Sequence, residues 1–109
     1  MVQHVGSGEF EKVVLKSEVP VLVDFWAEWC PPCHFLGPIF ERVAERFSGK
    51  VKFCKVDVDA SSDVAARFNI HAIPTLILFK EGREVARQEG AVPEEVLVEW
   101  LKSVGGIEE

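Results

Sequence analysis

Several features of common protein classes are missing from this 109-residue sequence. No apolar run approaches the ~18 residues of a membrane-spanning helix, so we expect no membrane segment. The first residues have neither the basic stretch nor the apolar core of a signal peptide, which favours a cytoplasmic protein. Basic residues are not in excess, because 12 Lys and Arg against 18 Asp and Glu give a net charge of −6. This balance argues against nucleic acid as a partner.

Cysteine is also scarce, with only three residues in the chain. A secreted domain held together by disulfides carries a larger, even number, so this count favours a reducing compartment. Hydrophobic residues make up 48% of the chain and charged residues 28%, which predicts a folded core. Without repeats or linkers, we expect a single domain over residues 1–109, with residues 105–109 as a loose tail.

The apolar patterns predict elements in the order β-α-β-α-β-α-β-β-α. The predicted strands and helices are strand 2–5, helix 7–16, strand 19–26, a helix from the cysteines to about 47, strand 51–58, helix 62–68, strands 75–79 and 84–89, and helix 93–104. Ser7 is the predicted cap of the first helix, and Gly49 and Asn69 are predicted helix stops. Strands separated by helices favour parallel pairing, and the final hairpin adds antiparallel strands. We expect an α/β fold, a mixed sheet with helices on both faces.

The pair Cys30 and Cys33 carries the functional prediction. The two residues follow an apolar strand and open a helix, whose N-terminus stabilises a thiolate. If Cys30 caps this helix, Pro31 and Pro32 fill its first two positions, and the N–H of Cys33 can still point at the Cys30 sulfur. The thiolate is the nucleophile in thiol–disulfide exchange, so this spacing favours redox chemistry.

Half of a zinc site is the alternative for these cysteines. Zinc needs four ligands, so Cys54 and His34 would have to complete the set. Cys54 alternates with valines on one strand face, which favours a buried, inert cysteine. We therefore expect neither a metal nor a cofactor.

Asp24 lies in an otherwise apolar strand, where an unpaired carboxylate is costly. Burial raises the pKa of such a group toward neutrality, and it could then accept the proton of Cys33, through water, as that thiol attacks. A structural polar residue at a bend is the alternative. Lys55 on the neighbouring strand could be its partner, and an ordinary solvated lysine is an equal interpretation.

Two features flank the cysteines. A proline directly before a strand, as in Ile73-Pro74-Thr75, removes a sheet donor and marks a special turn. A cis bond there would leave backbone groups free to pair with an extended chain, although sequence alone favours an ordinary trans proline. Trp29, directly before Cys30, is either an exposed contact surface or a lid on the helix.

Taken together, these residues resemble the thioredoxin family from about residue 10 to residue 104. The matching residues are Val23-Asp24-Phe25-Trp26-Ala27-Glu28-Trp29-Cys30, Pro32-Cys33, Pro38, Lys55-Val56-Asp57, Ile73-Pro74-Thr75, Phe79, Gly82 and Gly90. The resemblance implies the thioredoxin fold, a mixed five-stranded sheet with four helices. It also implies a protein-disulfide reductase in which Cys30 is the attacking thiol and Cys33 the resolving thiol.

The resemblance has further implications for the site and its partners. It implies a cis peptide between Ile73 and Pro74, and a buried pair of Asp24 and Lys55 behind Cys33. The residues that would contact substrate are Trp29, Pro31, Pro32, Ile73, Pro74, Gly90 and Ala91. A thioredoxin reductase would supply electrons, proteins with disulfides would be the substrates, and the chain would act as a monomer.

Three residues depart from the family pattern. Pro31 stands where glycine is usual; it restricts Cys30 toward extended geometry and removes one N–H near the thiolate. His34 stands where lysine or arginine is common, and its charge changes near neutral pH. Glu89 stands at a groove position that is more often apolar, where it can bias the choice of partners. The alternatives to a reductase are a disulfide oxidase or isomerase, and a non-catalytic binding module of the same fold.

Overall fold

Five strands and four helical segments follow the predicted order in the computed structural model, which describes residues 1–109. The elements are β1 Val2–His4, a π-helical segment Glu11–Leu15, β2 Val21–Trp26, α1 Pro31–Arg46, β3 Lys52–Asp57, α2 Ser62–Arg67, β4 Thr75–Lys80, β5 Arg83–Glu89 and α3 Glu94–Ser103. None of the helices combines the length and the apolar character that crossing a membrane requires.

The strands form one sheet in the order β1-β3-β2-β4-β5. β1 and β2 pair in parallel with β3, whereas β4 pairs antiparallel with both β2 and β5. The helical segments between the parallel strands provide the crossovers that such pairing requires. The predicted α/β fold, a mixed five-stranded sheet with four helices, is confirmed.

The central strand β2 is buried on both faces because its side chains alternate between two apolar clusters. Leu22 packs with Leu36 of α1 and Leu97 of α3 in one cluster. Val23 packs in the other cluster, which contains Val14 of the π-helical segment. This double burial explains why the strand is almost continuously apolar. The same alternation turns residue 24 toward the face that carries α1.

α1 begins at the cysteine pair. Cys30 is its N-cap, in an extended conformation with φ −102° and ψ 105°, and Pro31 and Pro32 fill its first two positions. Proline fits there because the N–H groups that it lacks have no partner within the helix. The helix continues through Pro38, and Gly49 follows its end with φ +82°, the left-handed conformation expected of a helix stop.

The first predicted helix is shorter than expected. The prediction placed it over residues 7–16 with Ser7 as its cap, whereas the segment begins at Glu11. The Ser7 hydroxyl instead donates to the carboxylate of Asp63, in the first turn of α2. The two glycines that flank Ser7 disfavour helix, so the regular segment begins only after them.

Residues 105–109 are not the loose tail that composition predicted. Ile107 is buried in the cluster between α1 and α3. The carboxylate of Glu109 binds Arg46 on α1 and Lys102 on α3. Gly106, with φ +63°, allows the chain to turn back at this point. Glycine and acidic residues alone suggested disorder, because their partners lie far away in the sequence.

Candidate redox-active site

Cys30 and Cys33 form a disulfide at the start of α1, with their Cα atoms 5.3 Å apart. The N–H of Cys33 points at the Cys30 sulfur, with 3.2 Å between N and Sγ. Pro31 and Pro32 have no N–H, so this is the one donor of the first turn that the capping sulfur receives. In the reduced protein the same N–H and the helix N-terminus favour a thiolate at Cys30.

A loop from the opposite side of the site meets the Cys30 sulfur. Its Ile73–Pro74 peptide bond is cis, as the resemblance implied and contrary to the trans proline that sequence alone favoured. The carbonyl oxygen of Ile73 lies 3.8 Å from the Cys30 Sγ. Gly90 donates its N–H to the carbonyl oxygen of Pro74 over 2.8 Å, and Ala91 packs against the cluster between α1 and α3. The structure therefore brings these predicted groove residues together.

Trp29 lies on the surface beside the pair, with 67% of its area exposed. Its indole N–H donates to the carboxylate of Asp59, with 2.8 Å between Nε1 and Oδ2. Asp57 in turn accepts the backbone N–H groups of Asp59 and Ala60, which fixes this loop. Trp29 is thus an exposed, oriented surface and not a lid on α1. Sequence analysis missed Asp59, because nothing local marks a bond between residues 30 positions apart.

Asp24 is fully buried, and neither of its carboxylate oxygens has a hydrogen-bond partner in the protein. Removal from water raises the pKa of this carboxyl to about 7, although the charge of Lys55 lowers it in part. This direction is what burial in an apolar strand predicts. A carboxyl with such a pKa can take up and release a proton near neutral pH.

Lys55 is the register neighbour of Asp24 in the β2–β3 pair, but no ion pair joins the two side chains. Its Nζ lies 4.4 Å from the centre of the Trp26 ring, in a cation–π arrangement. A Cβ on Gly37 of α1 would lie 3.9 Å from the same Nζ, so the ammonium reaches the helix. Of the buried pair implied by the resemblance, Asp24 is buried and Lys55 is half-buried. Lys55 acts on Asp24 through its charge and not through a direct contact.

The half-buried Trp26 has histidines at its edge as well as Lys55 on its face. The rings of His34 and His4 lie 6.1 and 6.3 Å from the ring of Trp26, both edge-on. Nε2 of His34 also lies 2.5 Å from the carbonyl oxygen of Glu28, to which it donates. His34 thereby connects the first turn of α1 to the loop that precedes Cys30.

Cys54 lies away from the redox pair. It is buried on β3 among the apolar residues of the opposite face, in the cluster that contains Val14 and Val23. Burial raises the pKa of its thiol to about 11, which keeps the thiol protonated and unreactive. The structure assembles no group of three or more metal-ligating side chains. Cys54 lies on the face of the sheet opposite α1 and its cysteine pair.

Comparisons with known proteins agree with this geometry. The thioredoxin family model matches residues 1–103. The chain is 43% identical over 100 residues to a thioredoxin of Haemophilus influenzae. The matched residues cover 92% of this chain and 94% of that protein. It is 47% identical over 92 residues to thioredoxin C-2 of Corynebacterium nephridii, and the match covers 84% of this chain and 85% of that protein. It is 44% identical over 99 residues to thioredoxin 1 of a Nostoc species, and the match covers 91% of this chain and 92% of that protein. With a Cys-X-X-Cys pair at a helix N-terminus, the chain belongs to the thioredoxin family of thiol–disulfide oxidoreductases.

Proposed function

We propose that this protein reduces disulfides in protein substrates, with Cys30 as the attacking thiol and Cys33 as the resolving thiol. The Cys33 N–H directed at the capping Cys30 sulfur carries this assignment, because it favours the thiolate at Cys30. Both residues are buried, Cys30 at 3% and Cys33 at 1% exposed, so the direction of this N–H and not accessibility distinguishes the two thiols.

The reaction has two exchange steps. First, the Cys30 thiolate attacks one sulfur of the substrate disulfide; a Cys30–substrate bond forms, and the other substrate sulfur leaves as a thiolate. Then the Cys33 thiolate attacks the Cys30 sulfur. The Cys30–Cys33 bond forms, the mixed disulfide breaks, and the second substrate sulfur leaves as a thiolate. The substrate gains two electrons from the two cysteines, its thiolates take up two protons, one that originates from Cys33 and one from solvent, and the protein reaches the disulfide form described above.

Asp24 serves the second step by accepting the proton of Cys33. Its position on the α1 face of β2, its free carboxylate oxygens and its pKa of about 7 support this role. The positive charge of Lys55 stabilises the ionised carboxylate, and it sets how easily the proton is returned.

The substrate chain lies between two walls of the site. One wall is formed by Trp29, Pro31 and Pro32, and the other by Ile73, Pro74, Gly90 and Ala91. No backbone partner within the protein takes the N–H or the C=O of Ile73. These groups suit pairing with an extended chain whose disulfide lies against Cys30.

The remaining assignments follow from family membership. A thioredoxin reductase returns electrons to the Cys30–Cys33 disulfide, and proteins with accessible disulfides are the substrates. The protein works as a monomer in the cytoplasm. The buried, unpaired Cys54 supports a reducing compartment, where free thiols persist.

Insulin reduction driven by dithiothreitol tests the assignment. We expect Cys30→Ser to abolish the rate above dithiothreitol alone, and Cys33→Ser to accumulate a mixed disulfide that mass spectrometry detects. Cys54→Ala is the matched control and should keep the wild-type rate. If Cys30→Ser reduced insulin as fast as the wild type, Cys30 would not be the attacking thiol.

A further inference from the structure

Glu89 is the last residue of the edge strand β5. Its Cα pairs with that of Thr75, which directly follows Pro74. The carbonyl oxygen of Ile73 in turn lies 3.8 Å from the Cys30 sulfur. Any chain that places its disulfide against Cys30 therefore passes close to the end of β5.

The carboxylate of Glu89 is exposed and takes part in no ion pair or hydrogen bond within the protein. The other carboxylate of β5, Glu84, is held by Arg87 through two hydrogen bonds of 2.7 Å. The charge of Glu89 also acts on Arg87, whose guanidinium donates to the carbonyl oxygens of Phe68 and Asn69 as well as to Glu84. The carboxylate of Glu89 thus has no direct contact with a cation of the chain and is free to contact a partner outside it.

The exposed loops around the pair carry carboxylates. Glu28 and Asp59 are exposed on the neighbouring loops and carry negative charge. The ammonium of Lys55 lies against an indole ring inside the site. A cationic group on a substrate would therefore approach a face where the carboxylates Glu28, Asp59 and Glu89 lie alongside two engaged cations, Arg87 bound to Glu84 and Lys55 against the Trp26 ring.

We propose that Glu89 is a specificity-determining residue, which favours substrates with a lysine or arginine next to the disulfide that Cys30 attacks. This inference rests on the attack by Cys30 proposed above. An exposed pair of opposite charges changes a rate constant by about three-fold, and salt screens it.

Three cyclic peptides test this inference. Each contains one disulfide, and they differ only in the residue after the first half-cystine, which is Lys, Gln or Glu. The rate constant for their reduction by the pre-reduced protein is measured by acid quenching and chromatography. Dividing each value by the rate constant with dithiothreitol removes the intrinsic reactivity of each peptide.

The normalised ratio of the Lys peptide to the Gln peptide should exceed one in the wild type and fall about three-fold in Glu89→Gln, and the ratio of the Lys peptide to the Glu peptide should fall further because a repulsion is lost as well. Glu89→Lys should invert the first ratio, and high salt should bring it toward one. Glu99→Gln, which changes an exposed glutamate of α3 that forms no ion pair, is the matched control and should leave the ratio unchanged.

Equal ratios in the wild type and Glu89→Gln would overturn the role of Glu89. Cys30→Ser distinguishes this failure from failure of the proposed function. If Cys30→Ser reduces none of the three peptides, the attack by Cys30 stands and only the selectivity is lost. If it still reduces them, both proposals fall together.

Discussion

At Asp24 a carboxyl group is held inside the protein without a hydrogen-bond partner. Because burial disfavours its charged form, its pKa rises from 3.8 to about 7. One pKa unit corresponds to about 1.4 kcal/mol, so the ionised group lowers the free energy of unfolding by about 4 kcal/mol. A residue that serves the reaction is thus a source of instability at neutral pH.

This coupling predicts how Asp24→Asn changes stability with pH. The folded pKa lies above the unfolded one, so between about pH 4 and pH 7 the folded protein binds the extra proton. The stability of the wild type therefore falls as pH rises through this window. We expect urea denaturation to show Asp24→Asn to be more stable than the wild type by roughly 2–4 kcal/mol at pH 8, and nearly equal to it at pH 4.

Glu41→Gln, which changes an exposed carboxylate of α1, is the control and should differ little from the wild type at either pH. A gain for Asp24→Asn of the same size at pH 4 and pH 8 would contradict a cost that comes from the buried charge.

At the scale of the element, the first turn of α1 determines how many N–H groups can donate to the Cys30 sulfur. An N-cap side chain accepts from the N–H of the second or third helical residue. Here the second residue is Pro32, so only the N–H of Cys33 reaches the sulfur. The two prolines thus fix the start of the helix while they withhold a donor.

Pro32→Ala should restore that donor. The extra N–H stabilises the thiolate, so we expect Cys30 to ionise at a lower pH in the variant. The ultraviolet absorbance of the thiolate, followed against pH in the reduced protein, measures this directly. Pro38→Ala, a proline-to-alanine change further along α1, should leave the titration of Cys30 where it is in the wild type. Identical titrations for Pro32→Ala and the wild type would show that the number of N–H donors does not control the ionisation of the Cys30 thiol.

The elements could be predicted where the cause was local. The start of α1 followed from Cys30 and two prolines, and the stop at Asn69 followed from its tolerance of positive φ, here +54°. The position of Lys55 against an indole ring could not be predicted, because it depends on side chains that three separate elements bring together. The bond between Trp29 and Asp59 escaped prediction for the same reason.

At the scale of the whole molecule, the C-terminal residues connect α1 to α3. Arg46 binds Glu94 and Glu95 on α3 as well as Glu109. With Lys102, it lowers the pKa of the Glu109 carboxyl to about 2. These ion pairs lie at the surface, where each contributes little to stability. Burial of an apolar side chain is the larger effect.

Two substitutions separate these contributions. We expect Ile107→Ala to lower the free energy of unfolding by about 2–3 kcal/mol, because it leaves a cavity between α1 and α3. Glu109→Gln should lower it by less than about 1 kcal/mol. Val104→Ala is the control, since Val104 is 50% exposed and should tolerate the change. Urea denaturation measures all three. A larger loss from Glu109→Gln than from Ile107→Ala would reverse this ranking.

Cys30 is at once the N-cap of α1 and one end of the reversible disulfide. The stability of the fold and the affinity of the pair for electrons therefore form one thermodynamic cycle. The difference in unfolding free energy between the oxidised and reduced proteins equals the difference in reduction potential between the folded and unfolded chains, with 30 mV corresponding to about 1.4 kcal/mol. Any interaction with this helix that stabilises the anionic sulfur makes the folded dithiol harder to oxidise. Melting curves of the two redox forms therefore report on the driving force for disulfide reduction that the protein can deliver.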